Sequence, residues 1–389
     1  MRSIRRLTAF LSAAAIVSGG IAPAAAMAAV TSDISVSQEA VSATEDEVAA
    51  QMRGYIKGRT ATFTVDTPQN GFANTDIGAH LIYRACEETG IGDEGDYLRY
   101  SIQKYSCRVR TVGDTYNIEY NINYYTSAEE EAALTNELKG IMDKLSVDGL
   151  SDYNKIRMMY KYATENVSYS KDVSDPYSYS AYNAVFNRNA VCQGIAQLLY
   201  RMYTDSGISC RIIAGVSKDN LNAANNGHHV WLIVKLNGSY YLMDPTWDMK
   251  YNGAYFSYFL KGTGDFDSAA PTVSHIAQND NGLAFPDYNS ASFAEEYPIA
   301  VKAYPEPKYS TGDVTGDSKV DAIDASLLLS EYARESAGKY PVFNSGQNYF
   351  ADVNHDGAVN AVDASLVLSY YAEVSTGYSH SIETYVKSH

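Results

Sequence analysis

The feature that most constrains this chain is the dipeptide Asn237-Gly238, set between His229-Val-Trp-Leu-Ile-Val-Lys-Leu236 and Ser239-Tyr-Tyr-Leu-Met-Asp244. Two β-rich runs joined by Asn-Gly predict a two-residue hairpin, because both turn positions need positive φ and these residues tolerate it best. The turn dictates the register: Leu236 faces Ser239, Trp231 faces Asp244 and His229 faces Thr246. His229 and Asp244 become diagonal neighbours on one face, about 7–8 Å apart at the backbone and within side-chain reach. The other face, with Val230, Leu232, Val234, Leu236, Tyr241 and Met243, is apolar and should pack, while the first carries the polar groups.

Upstream, Asn189-Ala-Val-Cys192-Gln-Gly194 is followed by Ile195, Leu198, Leu199 and Met202 at helical spacing, which places a thiol in the first helical turn. Backbone N–H groups there point at the sulfur and favour a thiolate. A thiolate, an imidazole to carry its proton and a carboxylate to fix the imidazole tautomer are what covalent acyl transfer needs. Taken singly, a helical Cys, a strand His and an Asp-Pro strand end are ordinary structural residues. It is the ordered set that points to chemistry.

Val191-Cys-Gln-Gly194, His229-Val-Trp231 and Asp244-Pro-Thr-Trp247 resemble the transglutaminase-like superfamily, whose members share a papain-like Cys-His-Asp arrangement. The stretch Ile156 to Tyr169 and the run Tyr-Ser-Ala-Tyr-Asn at 179 to 183 are similar to secreted bacterial members, so the resemblance covers roughly residues 150 to 290. It implies an α+β fold, a helix packed on an antiparallel sheet, with Cys192, His229 and Asp244 as catalytic residues. His228 precedes His229, and the spacing to Trp231 assigns the role to His229.

A second motif is duplicated. Asp313-Val-Thr-Gly-Asp-Ser-Lys-Val-Asp-Ala-Ile-Asp324-Ala-Ser-Leu-Leu-Leu-Ser recurs 39 residues on as Asp352-Val-Asn-His-Asp-Gly-Ala-Val-Asn-Ala-Val-Asp363-Ala-Ser-Leu-Val-Leu-Ser. Asp313, Thr315, Asp317, Asp321 and Asp324 in the first copy, and Asp352, Asn354, Asp356, Asn360 and Asp363 in the second, occupy positions one, three, five, nine and twelve of a twelve-residue loop. That is the spacing by which an EF-hand-like loop surrounds Ca²⁺ with hard oxygen ligands. A helix with Leu327, Leu328 and Leu329, or Leu366, Val367 and Leu368, should follow each loop.

Two such loop–helix units, without a complete helix ahead of each and with Asp at position twelve, resemble a dockerin module, the plug that fastens cellulosomal proteins to cohesin domains of a scaffoldin. The resemblance implies an all-α module, two Ca²⁺ sites and partner selection by Ala322, Ile323, Ala361 and Val362. Thr315 and Ser318 depart from the pattern, Ser318 standing where Gly makes the sharp turn, so the first loop is expected to bind calcium more weakly.

Arg2, Arg5 and Arg6, an apolar Leu7 to Ile21 and small residues around Ala26 and Ala28 read as a secretory signal over 1–28, and Ser18-Gly19-Gly20 interrupts it too early for an anchor. Secretion, and a place on a cellulosome at the cell surface, are therefore expected. Removing the three arginines deepens the net charge from −16 to −19, which disfavours nucleic acid and anionic membranes as partners. Four cysteines are too few for a disulfide scaffold; Cys86 and Cys107 could form a bridge or remain two thiols, and a Cys192–Cys210 bridge would disable the nucleophile. Of the aromatics, 34 are Tyr and two Trp, which leaves a sugar-stacking role open, although Tyr-rich strands are the commoner cause.

The remaining pattern predicts a small N-terminal α+β domain over 29–148, a transglutaminase-like catalytic domain over 149–295, a Pro-containing linker over 296–311 and the dockerin over 312–389. Thr44-x-x-Glu47 and Ser127-x-x-Glu130 are capping boxes ahead of helices, and Ser151 begins another. Strands are expected at Tyr97–Val112, Thr115–Tyr125 and Tyr255–Leu260, a helix near His80–Glu88, and Cys210 should open a buried strand. The expected function is a secreted, cellulosome-associated cysteine peptidase or protein-glutamine acyl transferase acting through a Cys thioester on a protein or peptide. The alternatives are a noncatalytic peptide- or cell-wall-binding component and, on the dockerin context alone, a glycoside hydrolase in polysaccharide degradation. His275 reads as structural.

Overall fold

The computed structural model describes residues 44–69, 71, 73–219, 227–249, 256–278 and 284–389, so the expected signal segment lies outside the described residues. The chain forms two compact units, one with residues up to Lys139 and Ser151–Ala303, the other with Gly140–Leu150 and Tyr304–His389. No helix among the described residues is long and apolar enough to cross a membrane.

In the first unit α1 (Glu45–Lys57) starts at the Thr44/Glu47 capping box and buries Val48, Met52 and Ile56. It packs on α2 (Ile77–Ala85) and on a three-stranded antiparallel sheet of β1 (Thr62–Pro68), β3 (Thr115–Tyr124) and β2 (Ile102–Val112), in the order β1-β3-β2. Two expectations need correction here. Strand β1 has no counterpart among the expected strands, and residues 97–101 belong to a helix, α3 (Gly95–Ser101), before the chain becomes β2. The cause is tertiary: buried Asp96 pairs with Arg211 at 2.7 Å and accepts the Ile212 N–H at 2.9 Å, overriding the β preference of the tyrosines. Helix α4 (Ala128–Leu145) begins at the reciprocal Ser127 and Glu130 caps and enters the second unit at Gly140.

The centre of this unit is α7 (Cys192–Asp205), buried from Cys192 through Thr204. It is preceded by α5 (Asp152–Asn166), β4 (Ser168–Tyr169), a 3₁₀ turn at Pro176–Tyr179, α6 (Ala181–Phe186) and β5 (Asn189–Ala190), which pairs in parallel with β4. Helix α7 packs on a four-stranded antiparallel sheet ordered β8-β7-β6-β9: β6 (Cys210–Asp219), β7 (Gly227–Leu236), β8 (Ser239–Met243) and β9 (Val273–Ala277). Asn237 and Gly238 both have positive φ, 50° and 88°, and the ladder runs from Leu236–Ser239 to Leu232–Met243, the register the turn demands.

The hairpin differs from expectation in two ways. Both of its faces are buried, since Trp231 and Ile233 lie on the second face and are as covered as Leu232 and Val234. The strand expected at Tyr255–Leu260 does not form over its described residues 256–260: Asp248 takes the N–H groups of Ser257 and Tyr258 at 2.7 and 3.0 Å, donors a ladder would need, and β9 supplies the outer strand instead. Tyr255 itself is outside the described residues. All four cysteines are free thiols.

In the second unit α10 (Ala322–Ser336) and α12 (Ala361–Ser375), which follow the two loops, pack on each other with Leu328 and Val367 fully buried; the two helices expected after the loops are there. Loop two is preceded by a short α11 (Ser345–Ala351), and α13 (Ile382–Val386) closes the chain; the first unit's α9 (Ala291–Glu296) and four-residue α8 (Pro245–Asp248) complete the helices discussed here.

Candidate active site

Each of the three chemistry-bearing residues is set by a local rule. Val191, the N-cap of α7, offers no side-chain cap, so the first-turn N–H groups stay directed toward the end of the helix where Cys192 sits, 4% exposed. Gln193 anchors the turn, its amide donating to the carbonyls of Tyr100 and Tyr179 at 3.0 and 3.1 Å. Gly194 is there for contact: a Cβ would lie 2.7 Å from the Ser180 carbonyl oxygen and 3.0 Å from that of Ser178. The Cys-Gln-Gly motif therefore seats the helix start directly against backbone.

Asp244 ends β8 and serves as N-cap of α8, with Pro245 in the first helical position and the Trp247 N–H donating to Oδ1 at 3.2 Å. Its other oxygen, Oδ2, accepts from His229 Nε2 at 2.8 Å. Cys192 is near enough to His229 to count among the groups that raise its pKa, and the His229 ring stacks on Trp247 at 5.5 Å and 18°. With Nε2 spent on Asp244, Nδ1 is the nitrogen left for the thiol. Gly215, opposite His229 on β6, has no room for a side chain because a Cβ would strike the Ile276 carbonyl and the Trp231 ring.

The electrostatics favour an ionised pair. Burial alone would lower the His229 pKa, but the charge and hydrogen bond of Asp244, then Cys192, push it up to about 10. Burial alone would raise Asp244; His229 and then His275 hold it well below the usual carboxylate range. Near neutral pH the imidazole thus holds a proton of the kind a thiol must give up to become a nucleophile.

Two further groups were not recognised in the sequence. The phenol of Tyr169, at the end of β4, is pushed up by partial burial, the residue being 39% exposed, and then by the charges of Cys192, Tyr179 and Asp244, so it lies in this neighbourhood. His275, on β9, reaches the same Asp244 oxygen at 3.1 Å. His229, Asp244 and His275 offer ligand atoms within 4.8 Å of one another, but both Nε2 atoms are spent on Asp244 Oδ2, the geometry of a hydrogen-bond relay.

In the second unit the first and last carboxylates of each loop are tied to loop backbone. Asp313 accepts the N–H groups of Gly316 and Ser318 at 2.7 and 2.8 Å, and buried Asp324 accepts those of Val314 and Thr315. In the second loop Asp352 and Asp363 repeat the pattern with Gly357 and Val353. Asp324 and Asp363 are pushed up first by burial, with Asp313 and Asp352 respectively adding like charge, a donor set suited to a hard cation. One difference from the sequence reading concerns backbone strain: positions four and six of both loops have positive φ, filled by Gly316 and Ser318 in the first and by His355 and Gly357 in the second. Each loop therefore carries one strained non-glycine residue, and Ser318 alone does not set the first loop apart.

Comparison with known proteins identifies two domains. The family model described as Transglutaminase-like superfamily matches residues 139–245, and that described as Dockerin type I domain matches residues 311–370. The chain carries a transglutaminase-like domain and a dockerin. Its mixed helix-and-sheet architecture has a transglutaminase-like core and a helical C-terminal region matching the dockerin. The combination supports a component of cellulosome type. No curated protein matches the chain. Among solved structures, a TGase is 11% identical over 36% of this chain and 44% of its own, with a TM-score of 0.27. A candidate cysteine protease from Cytophaga hutchinsonii is 13% identical over 46% and 75%, with a TM-score of 0.26. A candidate protease from Parabacteroides distasonis is 11% identical over 48% and 43%, with a TM-score of 0.21. The chain spans less than half the length of that TGase structure.

Proposed function

We propose that this protein is an extracellular cysteine hydrolase of amide bonds, carried on a cellulosome by its dockerin, with Cys192 as nucleophile, His229 as proton carrier and Asp244 as its orienting carboxylate. The observation that carries the reading is the buried His229–Asp244 pair, hydrogen-bonded at 2.8 Å and electrostatically coupled to Cys192 at the start of α7. Cys192 Sγ attacks the carbonyl carbon, the C–N bond breaks, and the His229 proton goes to the leaving amine. Water then adds to the thioester with His229 taking its proton, and the acid and the thiol are released. The Cys192 N–H is one donor for the oxyanion. A lysine amine in place of water would give crosslinking; the likeness to secreted bacterial members favours water.

Dockerin type I domains bind calcium, and a dockerin implies a cohesin partner. Here the residues that would hold the ions are Asp313, Thr315, Asp317, Asp321 and Asp324, and Asp352, Asn354, Asp356, Asn360 and Asp363. Bound Ca²⁺ supplies the positive charge that lets these oxygens gather.

The test is turnover. Purified protein is incubated with peptide, peptidoglycan-stem and polysaccharide substrates beside the Cys192→Ala variant, with a primary amine added in a parallel arm. Amide cleavage lost in the variant supports the reading; amine incorporation in place of cleavage moves it to acyl transfer, and cleavage retained in the variant refutes it.

A further inference from the structure

The hydrogen-bond chain does not stop at Asp244. His275 Nε2 meets Asp244 Oδ2 at 3.1 Å, and the opposite ring nitrogen, Nδ1, meets Asp267 Oδ1 at 2.5 Å. The second oxygen of Asp267 accepts the His275 backbone N–H at 3.1 Å, so one carboxylate grips both the ring and the strand that carries it. The His275 side chain is 2% exposed. Both ring nitrogens are thus engaged, each with a carboxylate oxygen. The rings of Trp247 and Phe266 lie 4.2 and 4.3 Å away, centroid to centroid, and fix the plane of the imidazole.

Asp244 gains a second side-chain partner in this way. The Trp247 N–H meets Oδ1 at 3.2 Å, while both side-chain donors, His229 and His275, meet Oδ2. A donor on the far side of Oδ2 holds the carboxylate in the plane His229 needs. We propose that His275, itself fixed by Asp267, is a positioning residue that holds the Asp244 carboxylate turned toward His229, so that the working unit is Cys192–His229–Asp244–His275–Asp267. This rests on the reading of Cys192 as the nucleophile. His275 lies behind Asp244 and does not touch the reacting atoms.

The experiment compares the full-length protein with His275→Phe, which fills the aromatic cage without a donor, His275→Gln, which returns an N–H to the Asp244 side, and Asp267→Asn. Three quantities are read: the second-order rate of Cys192 carboxamidomethylation by iodoacetamide, the low-field His229 Nε2–H proton resonance, and the melting temperature. His275→Phe should label Cys192 between about tenfold and a hundredfold more slowly, as expected for a misplaced reacting group, with the His229 resonance shifted or lost. His275→Gln should restore most of that rate, and Asp267→Asn should fall between the two. Labelling of His275→Phe at the unaltered rate overturns the proposal. So does equal slowing in the Phe and Gln variants with the His229 resonance unmoved, which would make His275 a packing residue. Should His275→Phe not fold, Asp267→Asn, whose side chain is 30% exposed, carries the same two outcomes. The unaltered protein separates this proposal from the reading beneath it: a Cys192 that reacts no faster than the other thiols overturns the nucleophile, whereas a fast Cys192 indifferent to His275 overturns only the positioning role.

Discussion

His229 Nε2 lies 2.8 Å from Asp244 Oδ2, although the two residues start from opposite strands of a hairpin and Asp244 has already left the ladder to cap a helix. The pair therefore couples strand, turn and helix in one contact, and its ionisation is tied to folding. His229 is raised from 6.5 to about 10, so the stability it contributes is complete below pH 6.5 and is lost as pH rises to about 10. Asp244 is lowered from 3.8, so its contribution is complete above that value and is lost as pH falls through its depressed folded value.

Asp244→Asn tests this coupling. Asn is as good an N-cap as Asp, so α8 should persist. Turnover should fall by about 10² or more, because the tautomer and orientation of His229 are no longer fixed. The loss of stability, on the order of 3 kcal/mol for a broken buried pair, should be greatest near pH 6 and fade toward pH 10. Urea melts at several pH values measure it; no loss at any pH would mean that Asp244 acts only as a cap.

Gly194→Ala sets two effects against each other. Alanine gains about 1 kcal/mol of helix propensity over glycine, but its Cβ meets the carbonyl oxygens of Ser180 and Ser178, which are backbone and cannot rotate away. Overpacking of this kind costs about 1–3 kcal/mol, so the variant should melt lower and label more slowly at Cys192. A higher melting temperature with unchanged labelling would show that the helix start can shift freely.

Ser318→Gly and His355→Gly should both stabilise the dockerin, each by about 1 kcal/mol, since each removes a side chain from a left-handed backbone position. Calcium titration followed by circular dichroism would read this as tighter binding in either loop. Improvement in Ser318→Gly alone would restore the view that the first loop is the strained one.

Calcium removal should unfold the loop–helix units. Ionisation of Asp324 and Asp363 is opposed first by burial, with the nearby charges of Asp313 and Asp352 adding to it. In chelator the helical signal of 313–375 and cohesin capture should therefore be lost, and Asp352→Ala with Asp363→Ala should reproduce the loss of capture. Capture that survives chelation would contradict the role given to these carboxylates.

What the sequence revealed, and what it hid, follows from how local each determinant is. The register of β7 and β8 was readable because one dipeptide sets it, and α7 because its apolar spacing is regular. Cys192, His229 and Asp244 could be assembled from those two elements. Asp267 and His275 could not, since their partnership depends on β9 lying beside β6, a pairing with no short-range signal. Residues 97–101 and 256–260, aromatic and β-prone, misled because side chains claim them: Arg211, far along the chain, pairs with Asp96 at the start of the first, and Asp248, nine and ten residues back, takes the backbone donors of the second.

The most direct test of the account is the order in which the four thiols react with iodoacetamide at near-neutral pH, followed by peptide mass spectrometry. Burial pushes Cys86 up to about 11, pushes Cys210 well above its ordinary value, and raises Cys107, the most exposed of the four. Cys192 alone has a protonated imidazole beside it and a helix start beneath it. The account predicts that Cys192, although only 4% exposed, is modified first and that His229→Ala abolishes its lead. Labelling that follows exposure instead, with Cys107 first and Cys192 inert, would contradict it.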